Sequence, residues 1–336
     1  MEIEKNKSLL PYNTFGINVL AKEFGVFTNT EELEELLLQN NQNTKIILGG
    51  GSNVLFTKDV DGLVLKNEIK GIEIVRQNQD HIYVRVGAGE NWHQLVMYCV
   101  QNNYAGIENL SLIPGNAGAS PMQNIGAYGV EIKDVFEELE AYHIGENRLQ
   151  VFRLADCNFG YRDSIFKNKY KGQFVITSVT YRLNKKPVFN TSYGAINQEL
   201  EHMGIKELSI QAISNAVINI RSSKLPDPNV IGNAGSFFKN PIISNIHFND
   251  LLKHYPDIPS FPAKDAFVKV PAGWLIEKCG WKGYRRGDAG CYTKQALVLV
   301  NYGHATGQEI FALSDDIIQS VRNKFQIELE REVNIV

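Results

Sequence analysis

Ser236, Arg162 and a run of glutamates near the C-terminus are the side chains of this chain best suited to chemistry. Ser236 stands in Asn233-Ala-Gly-Ser-Phe-Phe-Lys-Asn-Pro241, where a glycine frees the backbone and two phenylalanines anchor it. The surroundings are not a Gly-x-Ser-x-Gly nucleophile elbow, and no His/Asp partner set announces a hydrolase. A serine hydroxyl can instead donate a proton, provided neighbours stabilise the alkoxide left behind; an ordinary loop serine fits the local residues equally well. Arg162 lies in Asn158-Phe-Gly-Tyr-Arg-Asp163. Its planar fork matches a carboxylate bidentately, the plainer reading being a surface ion pair with Asp163. In Glu328-Leu-Glu-Arg-Glu-Val333 the acids alternate, so Glu328, Glu330 and Glu332 share one face of an extended chain. Such a row is ordinarily solvent-facing, and one catalytic member is the minority reading.

Two glycine-rich segments supply a place for a ligand. Residues 111–129 carry four glycines, two prolines, three alanines and two serines, with no acid or base. Such a stretch can neither charge a surface nor fill a core. Its backbone can approach a ligand closely and turn N–H groups toward an anion or a flavin-like ring. Lys45-Ile-Ile-Leu reads as a short buried strand that runs into Gly49-Gly-Gly-Ser-Asn53, an arrangement suited to a phosphate cradle. It is neither the Gly-x-Gly-x-x-Gly of a Rossmann turn nor a P-loop.

The elements that must position these residues follow from periodicity and capping signals. Asn29 or Thr30 caps a helix through Gln39, and Asn91 opens another through about Asn103. Gly71–Gln77 and His81–Val86 read as strands, Glu140–Ile144 and Leu149–Leu154 as a hairpin, and Phe174–Leu183 as a further strand. A helical pattern from Ser209 to about Lys224 stops at Leu225-Pro-Asp-Pro228, the best boundary for a C-terminal domain. Beyond it, Pro271 suits the first turn of a helix ended by Gly280. Ala296–Asn301 is a buried strand, and Thr306-Gly-Gln-Glu309 is a capping box for a helix to about Lys324. A last strand is expected over Phe325–Ile335. Strands and helices mix without regular alternation, so the fold class is α+β.

Composition excludes several functions. The 336 residues are 43% hydrophobic and 21% charged, with formal net charge −3. No basic excess drives nucleic-acid binding, no secretory leader is legible, and no apolar run reaches the about 18 residues of a membrane span. The four cysteines lack Cys-x-x-Cys spacing and the histidines lack metal-ligand spacing. The expectation is a cytoplasmic protein with reduced thiols, and without metal, nucleic-acid or membrane partners.

Jointly these blocks resemble the UDP-N-acetylenolpyruvoylglucosamine reductase family of peptidoglycan synthesis. The resemblance runs in order from Asn13-Thr-Phe-Gly-Ile through the two glycine segments and Gly160-Tyr-Arg-Asp-Ser164. It continues through Asn233–Pro241 and Ala272-Gly-Trp-Leu-Ile276 to Glu330-Arg-Glu-Val333, covering essentially the whole chain. It implies a two-subdomain FAD-binding module of the vanillyl-alcohol-oxidase/PCMH-like type, residues 1–67 and 68–225, with a C-terminal α+β substrate domain at 226–327. Residues 328–336 would return to the first subdomain. By the same resemblance Gly49, Gly50, Gly51, Ser52 and Asn53 hold the FAD pyrophosphate. Pro114, Gly115, Gly118 and Ser120, with Gln123, Asn124, Gly126, Ala127 and Tyr128, lie along the isoalloxazine. NADPH is the co-substrate, and hydride passes from flavin N5 to C3 of the enolpyruvyl group of the UDP-sugar. Ser236 then protonates C2 while Arg162 and Glu332 stabilise the intermediate, Glu332 only if it is protonated or orients a donor. Tyr193, Lys224, Asn240, Lys282 and Gln295 become candidates for the UDP-sugar. Tyr193, in Ser192-Tyr-Gly194, matches the longer, first type of the family, whose tyrosine-bearing loop closes over the diphosphate. The pair Arg285-Arg286 has no counterpart role, and a monomer is expected.

Two other classes fit part of the pattern. A flavin oxidase of the same superfamily, acting on a hydroxy acid or lactone, shares the glycine loops but has no need of Ser236 with Lys224 and Asn240. A flavin- or UDP-sugar-binding regulatory module has no need of Ser236, Arg162 and Glu332.

Overall fold

Leu20–Phe27 runs parallel to Val60–Asn67, which runs parallel to Lys45–Leu48, and Glu4–Ser8 edges the sheet beside Leu20–Phe27. The helix Thr30–Leu38 joins two of these strands, because Asn29 accepts from the Glu32 amide at 2.9 Å and Leu33, Leu36 and Leu37 turn to the core. The computed structural model describes residues 2–39 and 44–336. The chain divides into two compact units: Met1–Lys7, Leu20–Gly51 and Val60–Ser223 form one, and Ser8–Val19, Ser52–Asp59 and Lys224–Val336 the other.

A second, five-stranded antiparallel sheet completes the first unit, in the order Arg148–Arg153, Phe136–His143, Phe174–Asn184, His81–Gly87 and Ile72–Gln77. The helix Trp92–Gln101 buries Trp92, Leu95, Val96, Cys99 and Val100 in the core that these strands share. Trp92 anchors that core: its Nε1 donates to the Leu110 carbonyl at 3.0 Å and its ring meets Tyr181 edge-on at 5.7 Å. The helices Gly194–His202 and Ile210–Lys224 pack on each other through Ile196, Leu200, Ile213, Val217 and Ile220, a separate cluster that Tyr128 joins.

In the second unit an antiparallel sheet orders Gly232–Ser236, Val298–Asn301, Ala289–Cys291 and Arg285–Arg286. Its long helix, Gly307–Phe325, starts with the expected capping box, Glu309 accepting from the Thr306 amide at 2.7 Å. Pro271 stands at the N-cap of Ala272–Lys278, one position before the first turn.

The expected last strand is shorter than its pattern. Phe325 ends the preceding helix, with Gln326 left-handed at φ 58 as its cap. Only Asn334–Ile335 forms a regular ladder, parallel to Val54–Leu55. Between them the chain is extended, with Ile327, Leu329 and Val333 buried and Glu328 and Glu330 exposed. The strands Leu20–Phe27 and Val60–Asn67 and the helices Gly194–His202 and Asn245–His254 were not legible in the pattern.

Candidate active site

In the first unit the two glycine segments touch. A Cβ on Gly50 would lie 2.8 Å from Gly115 Cα and 2.9 Å from Asn116 Oδ1. Residues 115–118 are in turn stitched to the turn before Trp92. Trp92 N donates to Gly115 O at 2.9 Å, Ala117 N to Glu90 O at 2.8 Å and Gly118 N to Ala88 O at 2.9 Å. Gly118 is required at that seam, since its Cβ would stand 2.5 Å from that of Ala88. Among the described residues, the amides of Gly49, Gly50, Gly115 and Asn116 donate to no protein oxygen. The loop Gly49–Gly51 also leaves the carboxyl end of the parallel strand Lys45–Leu48, where open α/β sheets take ligands. Two packed loops with unpaired N–H groups and no acidic side chain fit a phosphate-bearing ligand such as the pyrophosphate of FAD.

The segment also stores backbone strain. Leu112, Asn124, Tyr128 and Arg162 adopt left-handed φ of 58, 46, 50 and 52. Such conformations cost a non-glycine residue about 1–2 kcal/mol and cluster at ligand sites. Each is held by named bonds. Asn124 is buried, donating to Glu131 Oε2 at 3.1 Å and Gly160 O at 3.0 Å while accepting from Lys133 N at 2.9 Å. Tyr128 and Gly129 form the turn between Gly126–Ala127 and Val130–Glu131, both with positive φ as the twist of a tight hairpin demands. Arg162 Nη2 donates to Gly126 O at 2.6 Å, and a Cβ on Gly126 would crowd Arg162 Nη1 at 3.3 Å. Asp163 accepts from Asn168 Nδ2 at 2.8 Å and from the Ser164 amide at 2.9 Å.

The remaining candidates of this segment differ in exposure. Ser120 is fully buried with its hydroxyl 2.8 Å from Tyr181 Oη, which also donates to Ala117 O at 3.2 Å. Gln123 Oε1 accepts from Lys167 at 3.3 Å. Pro114, Gly115, Gly118, Gly126, Ala127 and Tyr128 all retain solvent access. Tyr193 is 43% exposed and meets the Tyr128 ring edge-on at 5.3 Å.

Arg221 is the residue of this unit that sequence reasoning passed over. Its Nε donates to Leu112 O at 3.2 Å and its guanidinium bonds the Tyr128 hydroxyl. Burial pulls its pKa below the usual arginine value, and burial with the nearby Arg221 charge lowers that of His93, whose Nδ1 accepts from the Leu112 amide at 3.0 Å. The available signal was its place in the last turn of a helix, three residues before Lys224.

In the second unit Ser236 ends the strand Gly232–Ser236 opposite Val298. Buried Asn233 sets its approach, accepting from the Gly235 amide at 2.9 Å, and Gly235 has φ +68. On its other side the chain meets the C-terminal segment: Phe238 pairs with Arg331, Glu332 N donates to Phe237 O at 2.8 Å and Lys239 N to Glu330 O at 2.9 Å. Glu332 therefore stands beside the residue that follows Ser236. It is half-buried, whereas Glu328 and Glu330 are exposed and ion-paired with Arg322 and Lys239. Asn53, a residue of this unit, accepts on its backbone oxygen from the Asn334 amide at 3.1 Å.

Asn240 and Gln295 converge on one helix start. Asn240 Oδ1 accepts from Ala272 N at 2.9 Å, and a Cβ on Gly273 would stand 2.9 Å from Gln295 Oε1. Lys282 is ion-paired to Glu277 at 3.1 Å. Lys224 is exposed and makes no ion pair among the described residues. Ser236, Glu332, Lys224, Asn240, Lys282 and Gln295 thus belong to the second unit, and Arg162, Tyr128 and Tyr193 to the first.

The paired glycine loops and the mixed sheets define an FAD-binding protein, and residues 25–145 match the FAD binding domain family. Residues 227–336 match the C-terminal domain of UDP-N-acetylenolpyruvoylglucosamine reductase. A protein of that name from Flavobacterium johnsoniae is 52% identical over the whole of both chains, and one from Chromobacterium violaceum is 46% identical over 99% of this chain and 98% of its own. The solved reductase of Thermus caldophilus shares the fold, with TM-score 0.67 over 99% of this chain and 98% of its own at 23% identity. This chain belongs to the UDP-N-acetylenolpyruvoylglucosamine reductase family. Among the described residues no helix is long and apolar enough to cross a membrane, and no group of three or more His, Cys, Asp or Glu could hold a metal.

Proposed function

We propose that this chain reduces UDP-N-acetylglucosamine enolpyruvate to UDP-N-acetylmuramate, using NADPH and bound FAD, in the synthesis of peptidoglycan precursors. The observation that carries this reading is full-length identity of 52% to a reductase of that name. Bound FAD would supply hydride chemistry here, with NADPH as the reductant and C3 of the enolpyruvyl group as the acceptor. Gly49 to Asn53 and the segment 111–129 are the residues that would hold it, by the N–H groups and close approaches described above.

The chain's own residues then manage charge and proton. Hydride addition at C3 leaves negative charge at C2, delocalised into the substrate carboxylate. Arg162, oriented by the Gly126 carbonyl, offers a guanidinium to that charge, an effect typically of about 3 kcal/mol. Ser236 delivers the proton to C2. Glu332 serves in its protonated form or as the group that orients a donor, because an ionised carboxylate would repel the enolate. Tyr193, Lys224, Asn240, Lys282 and Gln295 bind the UDP-sugar. The module 1–67 with 68–225 carries the cofactor and 226–327 the substrate. We place the protein in the cytoplasm as a monomer; its cysteines are unbridged, and burial pushes the Cys99, Cys157 and Cys291 thiols up to about 12.

An anaerobic titration tests the reading. The flavin absorbance of the purified protein should bleach with NADPH and return on adding the enolpyruvyl sugar. A flavin that stays reduced would replace this acceptor with another. Lys224→Ala separates the two binding functions. Losing a charged contact to a diphosphate costs about 1.5–3 kcal/mol, so KM for the UDP-sugar should rise about tenfold to a hundredfold with FAD content unchanged. Loss of FAD instead would move Lys224 to the cofactor.

A further inference from the structure

Arg331 sits in a socket that the proposed chemistry does not use. Its Nε donates to Ser314 Oγ at 2.8 Å, its Nη2 pairs with Asp315, and its guanidinium lies 4.4 Å from the centre of the Phe311 ring. Phe311, Ser314 and Asp315 are spaced i, i+3 and i+4 on Gly307–Phe325, so one helix face supplies all three contacts. Ser314 is fully buried and sends its own proton to Phe311 O at 2.6 Å, which leaves its oxygen to accept from the arginine. An arginine fork that is planar, stacked and doubly bonded is held in one orientation.

The backbone of Arg331 is fixed as tightly. It faces Phe238, between the Glu332 N to Phe237 O and Lys239 N to Glu330 O bonds, the latter pair reinforced by Lys239–Glu330 at 2.5 Å. Those backbone bonds set the register of the segment, and the Arg331 socket adds a side-chain anchor to it. Successive residues of an extended chain point to opposite faces. The Arg331 charge is therefore committed to the helix and is not the counter-ion of Glu332.

We propose that Arg331 is a positioning residue: seated on Phe311, Ser314 and Asp315, it fixes the depth at which Glu332 stands beside the Ser236 strand. This rests on the roles given above to Ser236 and Glu332. A displacement of even an ångström of a reacting group lowers rate steeply.

The test uses FAD-loaded protein and stopped-flow measurement of each half-reaction in Arg331→Met, Arg331→Lys and Glu332→Gln. Arg331→Met should slow reoxidation by the enolpyruvyl sugar about tenfold or more and leave reduction by NADPH near the wild-type rate. Arg331→Lys keeps a charge for Asp315 but loses the fork, and should recover part of the lost rate. If Arg331→Met reoxidises normally while Glu332→Gln is slow, the positioning role falls and the Glu332 reading stands. If Glu332→Gln is itself unimpaired, the Glu332 reading falls and takes this inference with it. Parallel loss of both half-reactions in Arg331→Met, with a lowered melting temperature, would reduce Arg331 to a structural anchor and overturn the proposal.

Discussion

Ser236→Ala should reduce normally with NADPH and then fail to reoxidise at a useful rate with the enolpyruvyl sugar. The substitution removes one half-buried hydroxyl and leaves the backbone that presents it intact. Asn233 still accepts from the Gly235 amide, Phe237 N still donates to Leu297 O at 2.8 Å, and Phe237 and Phe238 stay buried. A change of fold is therefore not expected, and stability should move by less than about 1 kcal/mol. The proton is a different matter. Charge left at C2 must be quenched for the product to form, and a positioned general acid contributes about 10²–10⁴-fold. The oxidative half-reaction should fall by that factor, about 2.7–5.4 kcal/mol of barrier, while the reductive half-reaction changes little. Rapid mixing with each substrate in turn separates the two. Equal slowing of both would remove the proton-donor role from Ser236, and unchanged reoxidation would assign the proton to another group or to water.

The sequence made the residue types of this site legible, and much less of its geometry. Glycine segments stand out because their composition serves neither core nor surface, and the resemblance ordered them. That Gly50 and Gly115 pack against each other could not be read, because a long-range contact leaves no local trace. The acids 328, 330 and 332 alternated as expected, yet nothing in the pattern distinguished half-buried Glu332 from its exposed neighbours. The segment's placement depends on pairing with residues 237–239, about ninety residues away in the chain, which leaves no local trace. The same limit hid Arg221. At the end of Ile210–Lys224, beside two serines and a lysine, it reads as solvated, and only the fold places it against Leu112 and Tyr128. Leu20–Phe27 was missed for the opposite reason. Lys22 and Glu23 interrupt its apolar run, although Ala21, Phe24, Gly25 and Phe27 are buried. A parallel strand needs a continuous apolar run only where both of its faces are covered.

Gly50→Ala should cost the protein its cofactor while sparing its fold. The new Cβ would lie 2.8 Å from Gly115 Cα, 2.9 Å from Asn116 Oδ1 and 3.2 Å from Gly115 C. Two of these atoms are backbone, and residues 115–118 are tied to 88–92 by three backbone bonds, so the glycine loop must yield. Overpacking of this kind costs about 1–3 kcal/mol. Were that cost borne wholly by displacement of the N–H groups proposed to hold the pyrophosphate, FAD affinity would drop about fivefold to 150-fold. Gly145→Ala is the matched control in the same unit. Its Cβ would meet only the His143 ring, at 3.5 Å and beyond, in the hairpin turn between Phe136–His143 and Arg148–Arg153. The expected outcome is a Gly50→Ala protein with wild-type far-ultraviolet circular dichroism but a weak flavin band that recovers only at high added FAD, beside a Gly145→Ala protein with full flavin content. Equal FAD affinity in the two variants would mean that the contact between the glycine loops can relax without disturbing the cradle, and would remove Gly50 from the cofactor site.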